Sequence, residues 1–130
     1  MFMDMEAKVF LFFNAAIYLT FSIWCFLLPS KSSKFLGFAL ISKSGKSEFL
    51  AVYAGLELAM SIYFFLSAVN ESLQTSGILF GALMYGCITI LRTISIIRFG
   101  MVEGGTIGLM ITEAVLGIWA LERLFGLFPL

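Results

Sequence analysis

The chain has 130 residues, 61% of them hydrophobic and 12% charged, with a formal net charge of zero and a mean hydropathy of +1.04. A soluble domain of this length cannot bury so large an apolar fraction and would carry more charge outside, so the solvent is expected to be largely lipid. No basic excess points to nucleic acid, and with no histidine in the chain imidazole-held haem and ordinary zinc sites are disfavoured.

Apolar stretches of about 20 residues are what helical rise across a ~30 Å hydrocarbon layer requires, and four occur, near 9–28, 49–69, 76–97 and 106–125. The expected fold is an all-α membrane protein: one integral domain over 1–130, a bundle of four transmembrane helices with short loops. Helices are expected because lipid offers no partner for a free backbone amide.

The first stretch, Val9–Leu28, follows the leader "MFMDMEAK", which has two acids and one lysine. A secretory signal would start basic and be shorter, so this reads as a retained span. Asn14, Tyr18 and Ser22 recur at four-residue spacing and share one face. Pro29 and "PSKSSK" end the stretch. The loop that follows holds Lys31, Lys34, Lys43 and Lys46 around the apolar "FLGFALI", residues 35–41. That segment reads either as a short interfacial helix, its lysines snorkelling toward anionic head groups, or as a partly buried connector that binds nothing.

The second stretch contains "AVYAGLELAMSIYFFL", residues 51–66, with Glu57 near its middle and Tyr53, Glu57 and Ser61 at four-residue spacing. The polar "NESLQTS" is expected to loop into the third stretch, Ser76–Ile97. There Gly77, Gly81, Tyr85, Ile88 and Arg92 form a stripe, whose glycines allow close helix approach. "GMVEGG", residues 100–105, reads as a flexible turn, because it lacks the strand and helix context of a nucleotide fingerprint. On the fourth stretch, Thr106–Phe125, Glu113, Gly117 and Ala120 share a face.

Lysine bias places the first and third loops in the cytoplasm and both termini outside, with Lys8 and Arg123 as counter-votes. With that orientation Glu57, Arg92 and Glu113 fall about 3, 8 and 4 Å to the cytoplasmic side of their span midpoints at 1.5 Å per residue. Each would cost ~2.5–3.5 kcal/mol facing lipid. An inward-facing polar cluster of Tyr53, Glu57, Arg92 and Glu113 is the economical arrangement, with Asn14, Tyr18 and Tyr85 lining a pocket beside it. Two acids and one arginine leave the cluster one negative charge in excess. It reads equally as a proton- or ligand-binding pocket or as a structural ion pair that fixes helix register.

Cys25 and Cys87 lie inside spans without a CxxC pair and read as buried small side chains. With no catalytic constellation and no metal-ligating set, an enzyme is the less favoured reading. Three roles stay open: a non-catalytic subunit or interaction partner in the bilayer, with a membrane protein or a second copy of the chain; a binder of a lipophilic molecule such as a quinone, or of a proton-linked solute; and a redox subunit that takes its electrons through a partner. The first is the leading expectation, with no resident cofactor.

"SEFLAVYAGLELAMSIYFFL", residues 47–66, together with Arg92 and "ITEAVLGIWAL", residues 111–121, resembles DUF4345, a bacterial family of four-helix membrane proteins of unknown function. The resemblance implies a plasma-membrane location in bacteria. In that family the second span typically opens with an acid, an arginine and a Tyr-Gly-Gly-like turn. Here Leu50 stands where the arginine is expected and Ala54 where a glycine is, so no role resting on that arginine carries over. The family looks related to the wider DoxX/DoxD-like group, some of whose members are subunits of quinone-linked oxidoreductases; this is an analogy of fold, which does not fix function.

Overall fold

In a computed structural model, which describes residues 4–127, the regular elements are all helices, with no strand among the described residues. We number five helices: α1 (Met5–Leu27), α2 (Pro29–Phe35), α3 (Lys43–Val69), α4 (Glu71–Phe99) and α5 (Gly105–Leu127). Three of them, α1, α3 and α4, are long and apolar enough to cross a membrane. Residues 1–3, the start of the leader, lie outside the described residues.

Each boundary has a local cause. Asp4 caps α1 by accepting from the Glu6 amide, which starts the helix ahead of the purely apolar run. Pro29 then sits at the first position of α2, where a missing N–H costs nothing. Of the two readings of 35–41, the structure has the partly buried connector: the helix is Pro29–Phe35, and residues 36–42 are non-helical. The reason is Gly37, at φ +84°. Its amide bonds Lys34 O at 3.0 Å and the Phe38 amide bonds Ser33 O at 2.8 Å, the paired bonds of a Schellman stop.

The second expected span starts earlier than its apolar run. Ser42 caps α3 by accepting from the Gly45 amide at 2.9 Å, so the polar "KSGKSEF" forms the first turns. Between Leu50 and Leu56 the helix widens into a π segment, in which the Glu57 amide reaches back to Val52 O. The "NESLQTS" loop is likewise replaced. Asn70 alone separates α3 from α4 and caps the Ser72 amide at 3.0 Å, and the remaining polar residues are the opening turns of α4. That makes α4 29 residues long, about 43 Å at 1.5 Å per residue, more than a ~30 Å hydrocarbon layer.

Helix α1 packs mainly on α3, α4 mainly on α5, and α3 joins the two pairs. One core cluster gathers Phe10, Leu11, Phe64, Ile78, Tyr85, Leu116 and Ala120. A second, at the end near the connector, gathers Cys25, Phe49 and Ala54, with Phe21, Leu36 and Tyr53 against it. Small residues set the closest approach: a Cβ on Gly77 would stand 2.5 Å from Ser67 Cβ, and one on Gly81 3.2 Å from the Phe10 ring. The glycine stripe of the third stretch is thus a contact seam. Large apolar side chains such as Phe26, Leu83, Ile90 and Ile118 face outward, as lipid solvation permits.

Candidate functional site

The polar side chains considered in the sequence, and their neighbours, fall into three groups along the helix axes. The first is a hydrogen-bonded chain in the middle. The Tyr85 hydroxyl donates to Asn14 Oδ1, the Tyr18 hydroxyl donates to Tyr85 Oη at 3.1 Å, and Asn14 Nδ2 donates back to Phe10 O at 2.9 Å. Asn14 is fully buried and Tyr85 nearly so. Tyr18 also stacks on Phe64, with ring centroids 5.9 Å apart. All three residues expected to line a pocket therefore meet, but in contact with one another: they fill the interior and tie α1 to α4.

The second group lies toward the connector. Arg92 on α4 grips Glu113 on α5 through two bonds, Nε to Oε2 and Nη2 to Oε1, each 2.8 Å. This is the two-point geometry that guanidinium and carboxylate planes favour. The side chains retain 24% and 19% of their exposure. Glu57, on α3, joins neither. Its Oε2 is buried and has no hydrogen-bond partner among the described residues. Glu57, Arg92 and Glu113 all lie within electrostatic range of Tyr53, and Tyr18 and Tyr85 feel both glutamates. The single three-residue ion cluster expected from the sequence is thus a pair plus a separate acid in the same neighbourhood.

Tyr53 departs furthest from expectation. Its ring stacks on Phe49 at 4.9 Å and meets Phe38 edge-on at 5.4 Å, making it part of the connector-end core. Tyr53 lies inside the π segment Leu50–Leu56, which runs directly into Glu57. The same segment presents Ala54 O to α1, where the Ser22 hydroxyl donates to it at 2.7 Å. One turn group farther along, Ser61 donates to Ala15 O at 2.7 Å. These two serines, read in the sequence as members of polar faces, are interhelical ties between α1 and α3.

Burial is uneven around the second group. Among the described residues, none of α4 after Tyr85 is buried and none of α5 before Leu116 is, whereas α1 and α3 stay buried toward that end through Cys25, Phe49 and Ala54. Glu57, Arg92 and Glu113 stand in this thinly covered half. An acid whose buried oxygen has no partner among the described residues, in the same half as a fork already satisfied, can accept a hydrogen bond or hold a proton for an incoming group.

The third group was not anticipated. Arg123 near the end of α5 bridges to Glu6, Asp4 Oδ2 at 3.5 Å and Glu122 at 3.2 Å. Gln74 accepts from the Asp4 amide at 3.2 Å. These bonds fasten the start of α1 to α4 and α5 at the end opposite the connector. The signal lay in the leader acids, read in the sequence only as evidence against a secretory signal, and in the distant Arg123, read there only as an orientation vote. No cluster of three or more metal-ligating side chains occurs among the described residues.

No curated protein and no solved structure matches the chain. The family model described as "Domain of unknown function (DUF4345)" matches residues 7–122, a stretch that holds all three polar groups apart from Asp4, Glu6 and Arg123, and the chain belongs to that family.

Proposed function

We propose that this protein is a small integral membrane protein that binds a lipophilic molecule with a hydrogen-bonding head, of quinone-like or protonatable chemistry, in the thinly covered half around Glu57. One observation carries the reading: Glu57 has a buried carboxylate oxygen without a partner among the described residues, while the nearby Arg92–Glu113 fork is complete. A polar atom in that condition costs free energy that a bound donor would recover. In this proposal α5 is a fourth span, the four long helices form a bundle, the termini face outward and the membrane is the bacterial plasma membrane.

A second reading follows from the same half of the molecule. The outward faces of late α4 and early α5 are where a partner subunit or a second copy of the chain would pack, with Arg92–Glu113 as a strut beneath. In that case Glu57 would be satisfied by the assembly and not by a small molecule.

Native mass spectrometry of the protein released from bilayers separates the two. A bound lipophilic molecule that is lost in Glu57→Gln, with the oligomeric state unchanged, supports the pocket. A protein that carries no such molecule, and whose Glu57→Gln variant loses a bound subunit, overturns it in favour of the partner reading.

A further inference from the structure

The cleft of about 460 Å³ beneath the connector lies apart from the Glu57 region. Its walls include Ser30, Ser33 and Lys34 of α2, Lys46 of α3, and the apolar side chains of Phe38 and Leu50. We propose that it binds the phosphate head of an anionic phospholipid, one lipid per cleft. Lys34 and Lys46 reach the cleft from different helices, and neither pairs with an acid among the described residues. Two lysines that line one space, without an acid partner among the described residues, make a site for an anion.

The apolar walls select among anions. A small soluble phosphate has no use for Phe38 and Leu50, whereas a lipid places its first acyl carbons against them. The location agrees, because the connector joins α1 to α3, two helices of membrane-spanning length, and so lies at a bilayer surface. Phe38 and Ile41 are 44% and 92% exposed, apolar groups that insert beside the head groups while the lysines stay at phosphate level. The Schellman stop at Gly37 supports this shape, since it ends α2 and turns the chain so that residues 38–40 line the cleft together with α2 and α3.

The test uses the full chain in nanodiscs of phosphatidylcholine with a minority of phosphatidylglycerol, with lipid retained on gentle release counted by native mass spectrometry. The wild type is expected to retain phosphatidylglycerol in preference to phosphatidylcholine. The double variant Lys34→Gln/Lys46→Gln should lower that retention about thirty-fold, two lysine–headgroup contacts' worth. The variant Lys31→Gln/Lys43→Gln removes the same charge from the same connector but outside the cleft, and should change retention less than about three-fold, because charges away from the bound head are screened. Equal losses from the two double variants would reduce the effect to general surface charge and overturn the site. Displacement of the lipid by millimolar inorganic phosphate would overturn the lipid assignment, and so would equal retention of the two lipids. Circular dichroism of each variant confirms folding, which these exposed lysines do not support.

Discussion

Arg92 and Glu113 form a closed two-point ion pair between α4 and α5, while Glu57 on α3 keeps a buried carboxylate oxygen without a partner among the described residues. This asymmetry yields a double-mutant cycle with a definite sign. Arg92→Gln and Glu113→Gln should couple by ~1–2 kcal/mol in thermal or denaturant unfolding in detergent, the upper range for polar contacts between membrane helices. Arg92→Gln and Glu57→Gln should couple by less than about 0.5 kcal/mol, as groups without a shared bond do. A larger Glu57–Arg92 coupling would restore the single cluster expected from the sequence.

Removing Arg92 alone strands a carboxylate on α5. Arg92→Leu is therefore expected to destabilise the protein by about 3 kcal/mol, more than Arg92→Leu combined with Glu113→Leu, because two apolar residues leave nothing uncompensated. Comparing the unfolding midpoints of the single and double variants in one detergent checks the order.

Gly77 admits no side chain. A methyl group there would meet Ser67 Cβ at 2.5 Å and Oγ at 2.6 Å, so Gly77→Ala should cost ~1–3 kcal/mol through forced separation of α3 and α4. Gly86 faces open space, and Gly86→Ala should be neutral or stabilising by up to about 1 kcal/mol. Pairing Gly77→Ala with Ser67→Gly removes the opposing atoms and should return part of the lost stability. If no rescue appears, the seam is not where the cost arises.

Tyr85→Phe removes one hydroxyl that serves two neighbours, Asn14 and Tyr18. With Asn14 fully buried and its oxygen left without that donor, a loss of ~1–3 kcal/mol is expected. Tyr63→Phe also deletes a tyrosine hydroxyl, but one bonded to Ser76 at an exposed site, and should cost less than about 1 kcal/mol. Thermal melts of the two variants in parallel give the comparison.

At the opposite end, Arg123→Gln should loosen the first turns of α1 without unfolding the rest. Hydrogen exchange would show faster exchange in residues near Glu6–Phe10 and unchanged protection around Phe64 and Ile78. High salt should have the same local effect on the wild type, since Glu6 and Glu122 are well exposed and exposed charges are screened.

Much of this was legible in the sequence. Composition and the lengths of four apolar runs gave an all-helical chain with membrane-spanning elements, and the glycine spacing on α4 marked a close-packed seam. What failed was the assumption that polar residues mean loops. Ser42 and Asn70 each satisfy an amide at a helix start, so short polar stretches became helix, and α3 and α4 are longer than their apolar cores. The site was legible in part. Arg92, Glu113 and Glu57 lie in the same region, but pairing depends on side-chain reach and helix rotation, which spacing alone does not determine. The π segment is the sharpest case, because "LAVYAGL" has no proline and no polar break to announce the extra residue in its wide turn.

That extra residue makes α3 a helix with two phases. Its early half keeps step with the connector and its late half with the core around Phe64, and the wide turn takes up the difference. Deleting one residue within Leu50–Leu56 would let the ordinary pitch resume with the two halves in nearly their present bearing, whereas imposing the ordinary pitch on all seven residues would rotate one side by roughly 100° relative to the other. Either the connector would lose its seat on α1, or Glu57 would swing out toward lipid. The segment therefore acts as a coupling of fixed offset, and the bearing of the acid is set by a count of residues before it is set by any contact.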